Sequence, residues 1–62
     1  MVDASTPLLT PDDVAKRLGV SRSMAYALIK RGDLPALYIG RLPRITEADF
    51  AGYLARARER AR

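Results

Sequence analysis

Thr10-Pro11-Asp12-Asp13-Val14-Ala15-Lys16-Arg17-Leu18-Gly19-Val20-Ser21-Arg22-Ser23-Met24-Ala25-Tyr26-Ala27-Leu28-Ile29-Lys30-Arg31-Gly32 carries two helix starts and two helix stops in direct succession. Thr10 is a capping residue, Pro11 suits the first helical position, and Asp13 stands three residues beyond the cap. Val14 and Leu18, at i and i+4, give the first helix its inner face, and Gly19 tolerates a left-handed stop. Only Val20 separates that glycine from Ser21, the next cap, so a second helix is expected from Arg22 to Arg31, ending at Gly32. At about 100° per residue, Ala25, Leu28 and Ile29 share its inner face. The opposite face is centred on Ser23, Ala27 and Lys30, flanked by Met24, Tyr26 and Arg31. It lacks the Glu/Lys pairs of a merely solvated helix, and no acidic residue occurs from Lys16 through Gly32.

Two short helices joined by a tight turn containing glycine make a helix-turn-helix candidate. A small side chain at Ala15 lets the helices cross closely, Gly19 permits the turn, and Val20 is expected to plug the gap. A generic helical hairpin is the competing reading. Asp12 and Asp13 read as helix-capping acids rather than as a metal or acid–base pair, because no third ligand is near them in sequence.

Beyond Gly32, Asp33-Leu34-Pro35 ends the helix. Leu37-Tyr38-Ile39 and Arg44-Ile45 then form two short apolar-alternating runs around Gly40-Arg41-Leu42-Pro43. This predicts a small β-hairpin with Leu37, Ile39 and Ile45 inward and Tyr38 and Arg44 outward. Pro43 lacks a donor, so the second strand is expected to be short. Thr46 caps a third helix whose apolar stripe is Phe50, Tyr53, Leu54 and Ala57. The expected fold is α+β, mainly helical: helix, helix, two-stranded wing, closing helix. Residues 1–7 read as a loose leader, 8–55 as the folded domain, and 56–62 as a basic tail. Arg56 and Arg60 repel at i, i+4, so that tail is expected to fray.

The chain has 62 residues, a net charge of +4, and no His, Cys or Trp. A chain this short buries only ~60% of its unfolded surface. Its apolar residues are just enough for one core, and no enzyme cleft with supporting shell fits around it. Without His or Cys, the usual general base, thiolate and zinc ligands are missing together, so no enzymatic activity and no cofactor are expected. No run of ~18 apolar residues spans a membrane, and no basic-then-apolar leader marks secretion. A cytoplasmic protein is expected. Positive charge concentrates in residues 16–31 and 56–62, a distribution suited to a polyanion; ordinary solubility is the bland alternative.

Three stretches carry a family resemblance: Leu8-Leu9-Thr10-Pro11-Asp12-Asp13-Val14-Ala15, Leu18-Gly19-Val20-Ser21-Arg22-Ser23, and Leu28-Ile29-Lys30-Arg31-Gly32-Asp33-Leu34-Pro35-Ala36. With Ile39-Gly40-Arg41, Arg44-Ile45, Phe50 and Leu54, they resemble the excisionase-type DNA-binding domain, a winged helix-turn-helix of the mercury-regulator class. The resemblance spans residues 8–54. It implies that the second helix enters the major groove of double-stranded DNA and that the wing reaches the adjacent minor groove. Short Ser23 and Ala27 then allow close approach, while Arg22 and Lys30 bond guanine edges or phosphates. Met24 either touches a thymine methyl or is half-buried against the first helix. Tyr26 stacks along the sugar-phosphate rim. Arg41, beside Gly40 at the wing tip, suits a narrow A·T-rich minor groove, and Arg44 a phosphate next to it. Lys16, Arg17, Arg31, Arg56, Arg58 and Arg60 remain as phosphate or partner contacts.

Two positions depart from that family. Tyr38 stands where a basic residue is common, and Leu42-Pro43 replaces a more basic or aromatic pair. The resulting Leu-Pro-Tyr surface is a candidate contact with another copy of the chain.

The resemblance implies an accessory factor that bends attachment-site DNA, in several cooperating copies, and turns a partner integrase toward excision. A small winged-helix transcriptional regulator is the alternative. A protein-binding adaptor without DNA affinity is the second, and it would bind without the steep salt dependence of phosphate contacts.

Overall fold

A computed structural model of the chain describes residues 8–60. The expected leader, 1–7, and the last two positions of the expected tail, 61–62, lie outside the described residues. The elements follow in the order α1 (Pro11–Leu18), α2 (Arg22–Arg31), β1 (Leu37–Ile39), β2 (Leu42–Arg44) and α3 (Glu47–Arg60). This is the expected winged helix-turn-helix, with both strands in one antiparallel sheet.

An eight-residue helix such as α1 does not hold alone in water. Here its first turn is closed by a full capping box. The Asp13 amide donates to Thr10 Oγ1 at 3.0 Å, and the Thr10 amide donates to Asp13 Oδ2 at 3.0 Å. Gly19 stops the helix at φ 71, and the Val20 amide then donates back to the Ala15 carbonyl at 3.0 Å. Ser21 restarts the chain as α2, its hydroxyl accepting from the Met24 amide at 3.1 Å. Buried Ala15 and Ala25 carry small side chains where α1 and α2 pack together.

The core consists of Leu9, Val14, Ala15, Ala25, Leu28, Leu34, Ile45 and Phe50. Leu18, Ile29, Ala36 and Tyr53 pack around it half-buried. Leu34 is fully buried, although it lies in the segment that ends α2. Four expected core members stand elsewhere. Val20 is on the outer side of its turn, because the amide bond to Ala15 points its backbone, not its side chain, inward. Leu54 is 41% exposed on α3. Leu37 and Ile39 are exposed as well, for a reason of register.

The hairpin turn is two residues, Gly40-Arg41, not four, because Ile39 pairs with Leu42, Tyr38 with Pro43 and Leu37 with Arg44. Gly40 has φ 64, whereas no described non-glycine residue has positive φ, the pattern of a type II′ turn with glycine first. Side chains alternate along a strand, and paired residues share a face. Tyr38, Pro43 and Ile45 therefore share one side, and Leu37, Ile39, Leu42 and Arg44 the other. Pro43 and Ile45 are buried. All three residues of β1 are nonetheless exposed, Tyr38 most of all at 59%, so Tyr38 faces outward as expected, while Leu37 and Ile39 do not reach the core. In a two-residue hairpin the closing pair exchanges the ladder bonds, so Pro43 falls at a non-bonded pair where its missing N–H costs nothing.

Such a hairpin is marginal alone. It is fastened by Ile45, which exchanges backbone hydrogen bonds of 2.7 and 2.9 Å with Leu9. Thr46 then caps α3, accepting from the Asp49 amide at 3.0 Å. Among the described residues of the expected basic tail, 56–60 continue α3, which runs through Arg60. Asp33 offsets the arginine repulsion, since its backbone carbonyl accepts from Arg56 Nη2 at 3.1 Å and both Arg56 and Arg60 lie within its field. Among the described residues, no helix is long and apolar enough to cross a membrane.

Candidate nucleic-acid interface

Because Ala25, Leu28 and Ile29 face the core, α2 turns Ser23, Ala27 and Lys30 outward. The wing folds back beside that face. Between them lies an open cleft of about 660 Å³, with α2 on one wall and Tyr38, Arg41 and Pro43 on the other. Arg22, Ser23, Tyr26, Ala27 and Lys30 line the helical wall. Five of the six residues expected to read the major groove therefore share one cleft with Arg41 of the wing.

Met24 does not join them. It sits 44% exposed in a shallower depression between α2 and α3, with Leu18, Val20, Leu28, Tyr53 and Leu54. Its neighbours favour the half-buried alternative over contact with a thymine methyl. Gly40 leads the turn that carries Arg41. Arg44 lies outside the cleft, half-buried, with Nη1 donating to the Pro43 carbonyl at 2.8 Å.

The cations of the cleft differ in what holds them. Arg22 is the first residue of α2, a helix with no acid of its own in the first turn. That place is taken from across the turn by Asp12 of α1, whose Oδ1 lies 3.0 Å from Arg22 Nε. The guanidinium also lies over the Tyr26 ring, 5.6 Å from its centre. Tyr26 first and Asp12 second push the Arg22 pKa above its ordinary value. Lys30 and Arg41 make no ion pair among the described residues.

The remaining basic candidates divide in the same way. Arg17 pairs with Glu47 of α3 at 3.0 Å and lies over Phe50, tying α1 to α3. Arg31 Nε donates to Asp33 Oδ2 at 3.0 Å, closing the end of α2. Arg56 is bonded to the Asp33 carbonyl. Lys16 is exposed on α1 beside Arg17, and Arg58 and Arg60 occupy the last turn of α3. Lys16, Arg17 and the α3 arginines all lie outside the α2–wing cleft.

Tyr38 and Asp12 are among the residues that reach this site although sequence reasoning did not place them there. Tyr38 enters the cleft because the hairpin turn is two residues long, which the Gly-X pair between Ile39 and Leu42 does signal. Asp12 reaches Arg22 through the packing of two helices, and no spacing within one element signals that.

A cleft lined by Arg22, Lys30 and Arg41, with small Ser23 and Ala27 and two tyrosines, suits an anionic polymer. Comparison with known proteins agrees with that chemistry. The helix-turn-helix domain model matches residues 8–58. A protein named "Probable excisionase" from Saccharopolyspora erythraea is 43% identical over 49 residues, covering 79% of this chain and 50% of the relative. The chain thus spans about half the length of that curated relative. No solved structure matches the chain.

Proposed function

The chain belongs to the helix-turn-helix domain family, and on that footing we propose that it is a sequence-specific DNA-binding excisionase. It binds and bends attachment-site DNA and directs a partner integrase toward excision, acting by binding and not by chemistry. The observation that carries this reading is the meeting of Arg22, Lys30 and Arg41 in one cleft between α2 and the wing. In this reading α2 lies in the major groove, with Lys30 and Arg22 on guanine edges or phosphates and Tyr26 along the backbone rim. Arg41 enters the neighbouring minor groove, and Arg44, Lys16, Arg58 and Arg60 add phosphate contacts. So few base contacts leave part of the specificity to the deformability of the duplex, which is why bending belongs to the proposal.

The short type II′ wing directly after the helix-turn-helix supports the mercury-regulator kind of winged helix. The relative's name supports an integrase as partner. Pro43 of the expected Leu-Pro-Tyr surface is buried, but exposed Leu42 and Tyr38, with Leu37 and Ile39 beside them, support contact between copies on adjacent sites. The protein works in the cytoplasm, on the nucleoid.

Genome-wide crosslinking of the tagged protein in its host tests the reading. A dense cluster at an attachment site beside an integrase gene is expected. Peaks scattered over promoters would make it a transcriptional regulator on the same domain. In vitro, log affinity for duplex DNA should fall with log salt at about 0.9 per phosphate contacted, and binding insensitive to salt would indicate a protein-binding adaptor instead.

A further inference from the structure

The cleft holds one cation that is not at liberty. Arg22 shares its Nε with Asp12, and both side chains are more than half exposed, at 67% and 57%. This pair does not hold the fold together: an ion pair so exposed adds little to stability, and α1 is already capped by Thr10 and Asp13. It does put a carboxylate at the rim of an interface otherwise built for phosphate. We propose that Asp12 sets how selectively this domain holds DNA, by withholding Arg22 from the phosphates of arbitrary sequence.

The inference rests on the DNA-binding reading above and follows from the chemistry of the two binding modes. Attachment to arbitrary DNA is almost wholly cation on phosphate, so it scales with the cations released to it. A phosphate bonded to Arg22 would lie roughly 6 Å from the Asp12 carboxylate, within the ~8 Å Debye length at physiological salt. Repulsion of two unit charges at that distance in water lowers a binding constant by about threefold. At a target site, base contacts through Ser23, Ala27 and Lys30 are untouched by that penalty. There Asp12 also acts as a positioning residue. With Nε engaged and the guanidinium laid over Tyr26, the two terminal amino groups are left for a guanine edge, which carries no net charge and so meets no repulsion from Asp12. The carboxylate therefore weakens the unwanted mode more than the wanted one.

The full chain and a 20-base-pair duplex of arbitrary sequence suffice for the test, read by fluorescence anisotropy over a potassium chloride series. Asp12→Asn should bind about two- to fivefold more tightly than the native chain, with a salt slope steeper by about 0.9, one released counterion. Asp12→Ser should do the same, and circular dichroism confirms that both remain helical. Asp49→Asn, the same change of charge at the start of α3, should leave the slope unaltered. In an Arg22→Ala background, Asp12→Asn should add nothing, because the coupling runs through that side chain. Unchanged or weaker binding by both Asp12 variants overturns the proposal. So does an equal gain from Asp49→Asn, or a gain that survives Arg22→Ala. A native chain that fails to bind DNA at all overturns the functional reading and this inference with it, an outcome distinct from the others.

Discussion

Tyr38 stands opposite Pro43 in the wing, one pair in from Ile39 and Leu42, which close the Gly40-Arg41 turn. That register decides which side chains serve the core and which serve the surface. Moving the turn boundary shifts the pairing, and with a side-chain period of two each shift changes which residues share a face. The observed turn places Tyr38, itself 59% exposed, along the cleft beside α2, and Leu37, Ile39 and Leu42 on the other side of the wing, exposed as well.

A substitution pair tests that register. Ile39→Thr and Leu42→Thr change side chains that are more than half exposed, so each should alter unfolding free energy by less than about 0.5 kcal/mol in urea titrations. Gly40→Ala should cost more, since alanine at φ 64 is strained even though no atom crowds the position. A loss above about 2 kcal/mol at Ile39 would mean that the hairpin packs with the opposite face inward.

Leu34 is expected to be the most sensitive single position in the turn after α2. It is fully buried, and truncating such a leucine costs about 2–5 kcal/mol. A core of this size supplies roughly 3–5 kcal/mol in total. Leu34→Ala should therefore leave the chain largely unfolded at 25 °C by circular dichroism, whereas Leu54→Ala, on an exposed side chain, should leave it folded.

Helix boundaries were legible residue by residue, because each is fixed by local chemistry: Thr10 and Ser21 cap, Gly19 and Gly32 adopt positive φ. Leu34 was not, since one apolar residue between Asp33 and Pro35 has no period to reveal its direction. The hairpin was legible as a hairpin, with Ile45 inward and Tyr38 outward, but the length of its turn was not, because the apolar run Leu37-Tyr38-Ile39 looks inward at its ends until that length is known. At the candidate site, the cations could be named from composition alone. Which of them are occupied could not: Asp12 and Glu47 come from other elements and meet Arg22 and Arg17 only after packing, while Asp33 reaches Arg31 within the turn that ends α2.

Acid should destabilise the domain through two aspartates. Hydrogen bonds from the Thr10 backbone and side chain hold Asp13 below its ordinary 3.8, and Arg31 does the same to Asp33. A carboxylate whose folded pKa is lowered adds stability above its unfolded value, and that stability is lost as pH falls through the folded one. The melting temperature should thus be level from about pH 7 to 5 and fall below about pH 4. Asp13→Asn should flatten part of that fall, and an unchanged profile would remove the capping box as its cause.

Arg41 separates minor-groove reading from simple attraction. A narrow A·T-rich minor groove concentrates negative potential, so a guanidinium inserted there gains more at such sites than along ordinary backbone. Arg41→Ala should weaken binding most on duplexes with A·T-rich flanks. Equal loss on every flank would move Arg41 from the minor groove to a phosphate.

Ser23 gives the sharpest test of which face of α2 meets DNA. Its side chain is exposed at the centre of the outward face and lines the cleft, so a longer side chain there meets no neighbour in the core. Ser23→Glu also puts an acid in the first turn of α2, where the helix dipole favours it and where Arg22 lies one residue away. The domain should therefore stay as stable as the native chain in thermal melts. The same carboxylate would face phosphates and base edges at close range, so DNA binding should fall by at least tenfold, with the salt slope reduced. Native binding by a folded Ser23→Glu variant would mean that DNA lies elsewhere on the molecule, and the exposed arginines at the end of α3 would then be the surface to examine.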